Sequence, residues 1–158
     1  MFNTTMLCIT GHRPEKIENP DEVRAYMLLA YQVIAPDSVI QGMASGVDLW
    51  SAKLANSVGI PFWAVRPWAG HGPRKSDRLM YDGAMRDAAL IHNVSPSLHY
   101  PGPWIYQKRN EWMVDHTNTV LAVWDGSSGG TKNCLDYAVK QGRKICHLDP
   151  NALTLEWL

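Results

Sequence analysis

Trp124-Asp125-Gly126-Ser127-Ser128-Gly129-Gly130-Thr131 decides how this chain folds, because two patterns of different period meet there. Before it stands the apolar run Val120-Leu121-Ala122-Val123; after it a helical pattern reaches Gln141. The order is strand, glycine-rich turn, helix. Gly129 and Gly130 can take positive φ without steric cost, so N–H groups of the turn and of the helix's first turn can converge on one point. Such a point suits an anion, phosphate above all. A single loop of this kind can equally do no more than tighten a connection. Two further turns of the same type close expected strands upstream: Thr10-Gly11-His12-Arg13-Pro14 and Gln41-Gly42-Met43-Ala44-Ser45-Gly46-Val47-Asp48. That recurrence favours a ligand.

Outward from this stretch the elements alternate. Met6-Leu7-Cys8-Ile9 is a short apolar strand, buried on both faces and ended by Thr10-Gly11. Pro20 and Asp21 open a helix in which Val23, Tyr26, Met27, Ala30, Tyr31 and Ile34 recur at helical spacing until Pro36. Residues 38–41 form a strand, 47–57 a helix ended by Gly59, and 60–65 a third strand closed by Arg66-Pro67. Residues 68–74, rich in Gly, His and Pro, are loop. A helix over 76–89 with Ser76 as a candidate N-cap, a strand over 90–94 and a Pro-rich loop to residue 103 follow. Next come a helix over 104–117, a strand over 119–124, the helix over 131–141 ended by Gly142, and a strand over 144–148. The tail from Pro150 is too short to classify. This alternation predicts an α/β, Rossmann-like fold: a mostly parallel sheet with helices on both faces. In such sheets ligands lie beyond the carboxyl ends of the strands where chain order reverses, and all three glycine turns occupy such ends.

The totals narrow the function classes. The 158 residues suit one domain with a continuous core. Fifteen Lys plus Arg balance fifteen Asp plus Glu, so no global field draws the protein to nucleic acid or an anionic membrane. Cys8, Cys134 and Cys146 make no paired framework, which suggests a reducing compartment, and no Cys/His spacing resembles a zinc site, so no metal is expected. No basic-then-apolar leader pattern stands at the N-terminus, and no apolar run approaches the roughly 18 residues of a membrane span. A cytoplasmic protein without a membrane partner is expected.

Several residues near the turns can carry chemistry. Arg13 can fork onto phosphate or remain a surface cation. His12 can donate a hydrogen bond or stack, or be a satisfied structural histidine. Gly42, Ala44, Ser45 and Gly46 are small enough for a ligand to reach the backbone. Asp48 can cap the following helix or accept from ribose hydroxyls. Arg109, Met113 and His116 share one helix face with Asn110 and Asp115 on its flanks; the polar members reach a base or phosphate if that face borders the cleft, and otherwise form a solvated face. Asp125, at a strand end, can make a polar contact in the crevice or bond its own turn.

Four motifs occur in order: Thr10-Gly11-His12-Arg13-Pro14; Gly42-Met43-Ala44-Ser45-Gly46-Val47-Asp48; Arg109-Asn110-Glu111-Trp112-Met113-Val114-Asp115; and Asp125-Gly126-Ser127-Ser128-Gly129-Gly130-Thr131. Together they resemble the YpsA-like branch of the SLOG superfamily, which also contains the DNA-processing protein DprA and the lonely-guy phosphoribohydrolases. The likeness runs from Cys8 to Leu148 and implies a single Rossmann-like SLOG domain over residues 1–158. It implies a nucleotide-type ligand at the strand ends, with Gly11, Gly42, Ser45, Gly46, Gly129, Gly130 and Thr131 at the positions of the phosphate and ribose platform. Lonely-guy hydrolases carry a catalytic glutamate three positions after the threonine that follows their glycine pair; here that slot holds Cys134. A thiol does not replace that carboxylate, which leaves Asp48, Asp115 and Asp125 as candidate catalytic acids.

The leading expectation is therefore binding, in sensing or sequestration, of a nucleotide-derived ligand, NAD- or ADP-ribose-like, with no other cofactor required. Its site comprises Gly11, His12, Arg13, Gly42, Ala44, Ser45, Gly46, Asp48, Arg109, Asn110, Asp125, Gly129, Gly130 and Thr131, with Trp50 or Trp104 stacking on a base. One alternative is a nucleoside-phosphate N-glycosidase with an Asp in place of the missing Glu. Another is DprA-like binding of single-stranded DNA through Arg74, Lys75, Arg78, Lys108 and Arg109, for which the neutral total charge gives little support. A homo-oligomer is expected by analogy, through Trp and Met residues of 104–113.

Overall fold

The computed structural model describes residues 4–158. Its strands are β1 (Met6–Gly11), β2 (Ser38–Gln41), β3 (Phe62–Trp68), β4 (Leu90–Ser95), β5 (Thr119–Val123), β6 (Lys144–Asp149) and β7 (Thr154–Trp157). The helices are α1 (Pro20–Ile34), α2 (Val47–Ser57), α3 (Arg78–Asp87), α4 (Trp104–Asp115) and α5 (Gly130–Lys140). All seven strands form one sheet in the order β4-β3-β2-β1-β5-β6-β7. Every pairing is parallel except β6 with β7.

Alternation along the strands divides the core in two. Leu7, Ile9, Val39, Phe62, Leu121 and Leu148 face α1, α2 and α3. Cys8, Ile40, Val65, Val120, Ala122 and Ile145 face α4 and α5. Helix α1 packs through Val23, Met27, Ala30 and Tyr31, which recur on one stripe at helical period. Tyr31 Oη donates to Ser51 O at 2.8 Å and so ties α1 to α2.

The chain steps outward from β1 to β4 with its helices on one face, then returns through α4 on the other face to lay β5 beside β1. Chain order therefore reverses between β1 and β5, and the crevice opens at their carboxyl ends.

Three elements depart from the sequence reading. β3 continues through Pro67 to Trp68 rather than stopping at residue 65. Its β2 partner has ended at Gln41, opposite Ala64, so the missing N–H of Pro67 falls where only β4 is paired. Helix α3 starts at Arg78, after a 3-10 turn over Lys75–Asp77, so Ser76 is not its N-cap. The unclassified tail returns as β7, antiparallel on β6 and largely exposed. The interface expected over 104–113 is also altered: Met113 is buried, and Trp112 is stacked between His92 and His116 at centroid distances of 4.2 and 3.8 Å.

Candidate functional site

A cleft of about 630 Å³ runs along the carboxyl ends of β3, β2, β1 and β5, roofed on one side by α4. These four strands are consecutive neighbours, so the cleft crosses three interstrand spacings, roughly 14 Å at about 4.8 Å each.

At β1, the backbone of Gly11 lies against the start of α2. A Cβ on Gly11 would sit 2.5 Å from Val47 Cγ1, and His12 O accepts the Val47 N–H at 3.3 Å. The His12 ring is buried and reaches the β5 turn: Nε2 stands 3.1 Å from the Asp125 N–H and 3.0 Å from Asp125 Oδ1. Burial pushes the His12 pKa below its ordinary value, against the pull of Asp125. Asp125 is held down to about 2, first by Ser127, whose N–H it accepts at 2.9 Å, with help from His12. His12 and Asp125 thus stitch the first turn to the fifth. Asp125 does not line the cleft, whereas His12 and the exposed Arg13 do.

The β2 turn is closed on itself. Asp48 Oδ2 accepts from the N–H groups of Gly42 (3.2 Å) and Ala44 (3.3 Å), and Gln41 Oε1 takes that of Met43 at 2.7 Å. Three of the backbone donors expected to face a ligand here, those of Gly42, Met43 and Ala44, are thus taken up within the protein. Asp48 is buried, and desolvation raises its pKa despite the nearby Arg109 charge and these two bonds. Arg109 Nη1 donates to Gly42 O, and its Nε to Asn110 Oδ1 at 2.9 Å. Glycine is required on steric grounds: a Cβ on Gly42 would meet Arg109 Nη1 at 2.6 Å, and Gly46, at φ 89°, would meet His12 O at 2.7 Å. Neither Gly42 nor Gly46 lines the cleft; Ala44, Ser45 and Asp48 do.

The β5 turn is open. Gly129 caps α5 at φ 135° without a side-chain cap. Among the described residues nothing accepts from the N–H groups of Ser128, Gly129, Gly130, Thr131 or Lys132. Space above Gly129 and Gly130 is empty to 4 Å, and both line the cleft together with Thr131. Free N–H groups at a helix start carry positive potential, suited to an anion.

From α4, Arg109 and Asn110 face the cleft, each only 7% exposed. Among the described residues no carboxylate lies within ion-pair distance of Arg109. Asp115 stands at the far end of the same helix, exposed, accepting from Tyr137 Oη at 2.7 Å, away from the cleft. His116, expected on the face of Arg109, packs on Trp112 at that same far end. Cys134, in the slot of the lonely-guy glutamate, points into the sheet, fully buried beside Cys8 and Thr10.

Sequence reasoning missed the β3 end. Trp68, His71 and Tyr106 line the cleft there, with Trp68 edge-on to both rings at 4.9 and 6.0 Å. The signal was present, since loop 68–74 follows a parallel strand at its carboxyl end and Tyr106 lies three residues before Arg109 on one helix face. The aromatics expected to stack do not line the cleft: Trp50 is buried under the Arg24 guanidinium at 4.5 Å, and Trp104 is 54% exposed with Lys108 over its ring. The segment after β1 also bridges the mouth, Glu15 pairing with Arg74 and Lys16 reaching Ser127 Oγ at 3.4 Å. Among the described residues no cluster of three or more His, Cys, Asp or Glu is placed to hold a metal, and no helix is long and apolar enough to cross a membrane.

Comparison with known proteins agrees with this architecture. DNA processing protein A from Streptococcus pneumoniae superposes with a TM-score of 0.70 at 16% identity, covering 92% of this chain and 50% of that one. The same protein from Helicobacter pylori, described for its single-stranded DNA binding mode, also gives 0.70, at 13% identity, covering 92% and 65%. The molybdenum cofactor carrier protein of Chlamydomonas reinhardtii gives 0.61 at 18% identity, covering 95% and 80%. At these identities the likeness is one of fold. In sequence, the uncharacterized SPbeta prophage-derived protein YoqJ of Bacillus subtilis (strain 168) is 51% identical over 47 residues, 28% of each chain. The matched segment thus spans well under two thirds of that relative. The family model YpsA, described as the YspA SLOG family, matches residues 7–158, and the chain belongs to that family.

Proposed function

We propose that the cleft binds a nucleotide-derived ligand, NAD- or ADP-ribose-like, and that the protein serves as its sensor or its store. One observation carries this reading: Arg109 is a buried guanidinium that faces a cleft and has no carboxylate within ion-pair distance among the described residues. A buried cation is costly without an anion, and the free N–H groups at the start of α5 line the same cleft. Phosphate satisfies both. The length of the cleft and its aromatic β3 end favour a base joined to phosphate over phosphate alone.

The carboxylates support binding rather than turnover. Among described cleft residues they are Glu15, paired with Arg74; Asp48, clamped on its own turn; and Asp77. Asp115 and Asp125 do not line the cleft, and Cys134 presents no acid to it. Isothermal titration against ADP-ribose, NAD, ADP and AMP tests the proposal, with a single-stranded oligonucleotide and the molybdenum cofactor included because structural neighbours handle them. Saturable heat with ADP-ribose or NAD is expected, and no free base is released on incubation. Absent heat with every nucleotide overturns the reading. Tight, salt-sensitive retention of the oligonucleotide would put DNA in its place.

A further inference from the structure

The two ends of the cleft differ in hydrogen-bonding character. At the β5 end the protein offers donors, the N–H groups opening α5, with Arg13 after β1 as a cation; Arg109 stands between the two ends, bonded to Gly42 O. At the β3 end it offers acceptors. Tyr81 Oη donates its proton to His71 O at 2.8 Å, so the same oxygen is left to accept from His71 Nδ1 at 3.0 Å. With the Tyr81 proton on His71 O, the shorter of its two contacts, Nδ1 carries the imidazole proton and Nε2 is bare. The ring stays neutral, because burial, with Arg109 and Arg66 nearby, pushes His71 down to about 4. Asp77, at the start of α3, lines the cleft as well.

Orphaned atoms point the same way. Among the described residues only three buried side-chain N or O atoms lack a hydrogen-bond partner: Arg24 Nε, Ser45 Oγ and Asp77 Oδ2. Arg24 lies on α1 over Trp50, whereas Ser45 and Asp77 come from separate loops and both line the cleft. An unpaired buried oxygen costs about 1–3 kcal/mol, and native proteins leave few of them. A carboxylate oxygen and a bare imidazole nitrogen repel phosphate and call for N–H or O–H. Trp68 and Tyr106 beside them supply aromatic surface.

Resting on the nucleotide reading above, we infer that the β3 end recognises the head of the ligand through its neutral hydrogen-bond donors. Asp77 Oδ2 and His71 Nε2 accept from an exocyclic amine of the base or from ribose hydroxyls, and Ser45 Oγ completes the set. Two acceptors at this end against the free N–H groups at the other favour one orientation of the ligand, phosphate toward α5. Ser45 Oγ and Asp77 Oδ2 are screened from water by their neighbours, and a side-chain rotation brings them to the ligand.

The test is calorimetry on the full chain with ADP, IDP, 2′-deoxy-ADP and pyrophosphate, repeated on Asp77→Ala and His71→Phe. IDP lacks the exocyclic amine and 2′-deoxy-ADP lacks one hydroxyl, so the two arms separate base from sugar. The wild-type chain is expected to favour ADP over one of these analogues by about tenfold, and both substitutions to reduce that preference below twofold. Thermal melts check folding; should His71→Phe fail to fold, Asp77→Ala, at a half-buried position just before α3 where the carboxylate has an unpartnered oxygen, decides alone. Equal binding of all three nucleotides overturns the inference, as does a preference that survives substitution. Pyrophosphate bound as tightly as ADP leaves an anion site and removes the head site. Silence from pyrophosphate and every nucleotide overturns the underlying nucleotide reading instead.

Discussion

The turns after β2 and β5 are written in the same residue types, each joins a strand to a helix, and each lies at the mouth of one cleft, yet they do opposite work. Around Gly42 the backbone donors turn inward onto Asp48 and Gln41, and glycine is present because Arg109 and His12 press against it. Around Gly130 the donors are unclaimed and no protein atom lies where a side chain would go. In one turn the protein takes up the donors of Gly42, Met43 and Ala44 itself, and in the other the donors opening α5 have no acceptor among the described residues. Small residues in a loop thus have two distinct causes, tight internal packing and room for a visitor, and only the surrounding atoms separate them.

Substitutions break this contrast in opposite directions. Gly46→Ala is expected to have the largest effect, roughly 3 kcal/mol of stability, from a side chain forced onto φ 89° and against His12 O; the urea midpoint reads it. Asp48→Ala strips two buried N–H groups of their acceptor and should cost about 2 kcal/mol in the same measurement. Equal stability of that variant and the wild type would refute the closed description of the β2 turn. Gly130→Ala is expected to leave the fold as stable or up to about 1 kcal/mol more stable, by helix propensity, while pyrophosphate affinity falls roughly tenfold in calorimetry. A loss of stability without loss of affinity there would make the two turns alike.

Acid supplies the smallest effect. Folding lowers the pKa values of His12 and His71 from 6.5, the latter to about 4, and that of Asp125 from 3.8 to about 2, so in each case the unfolded chain takes up the proton first. Stability is complete above about 6.5, declines as pH falls through the histidine range, and declines again between about 4 and 2. Asp125→Asn should shrink the lower phase in a series of urea midpoints against pH. An unchanged profile would mean that the stitch between β1 and β5 contributes nothing.

The alternation of elements was legible because buried parallel strands read as bare apolar runs, as in residues 6–9 and 120–123, and because capping and breaking residues bracket α1 and α2. β7 was not, since a four-residue edge strand with three exposed residues carries no apolar run. Pro67 misled because its cost depends on whether a neighbour is paired beside it, a property of the sheet and not of the residue. Within the cleft, Arg13, Arg109 and Gly130 were found from charge and glycine alone. The inward direction of Asp48 depends on a side-chain rotamer, and the gathering of Trp68, His71 and Tyr106 depends on bringing β3 and α4 together across the sheet. Neither is written in local spacing.

Cys134 bears on what a glutamate could do at the same place on α5. Its side chain sits on the inner side of α5, fully buried between Cys8, the Thr10 hydroxyl and the apolar core. A glutamate at that position would bury a charge next to Cys8 instead of offering an acid to a glycosidic bond, so one codon change would yield a damaged fold rather than a new enzyme. On the proposed nucleotide reading, an acid carried at this position would meet the ligand only if α5 rolled on the sheet.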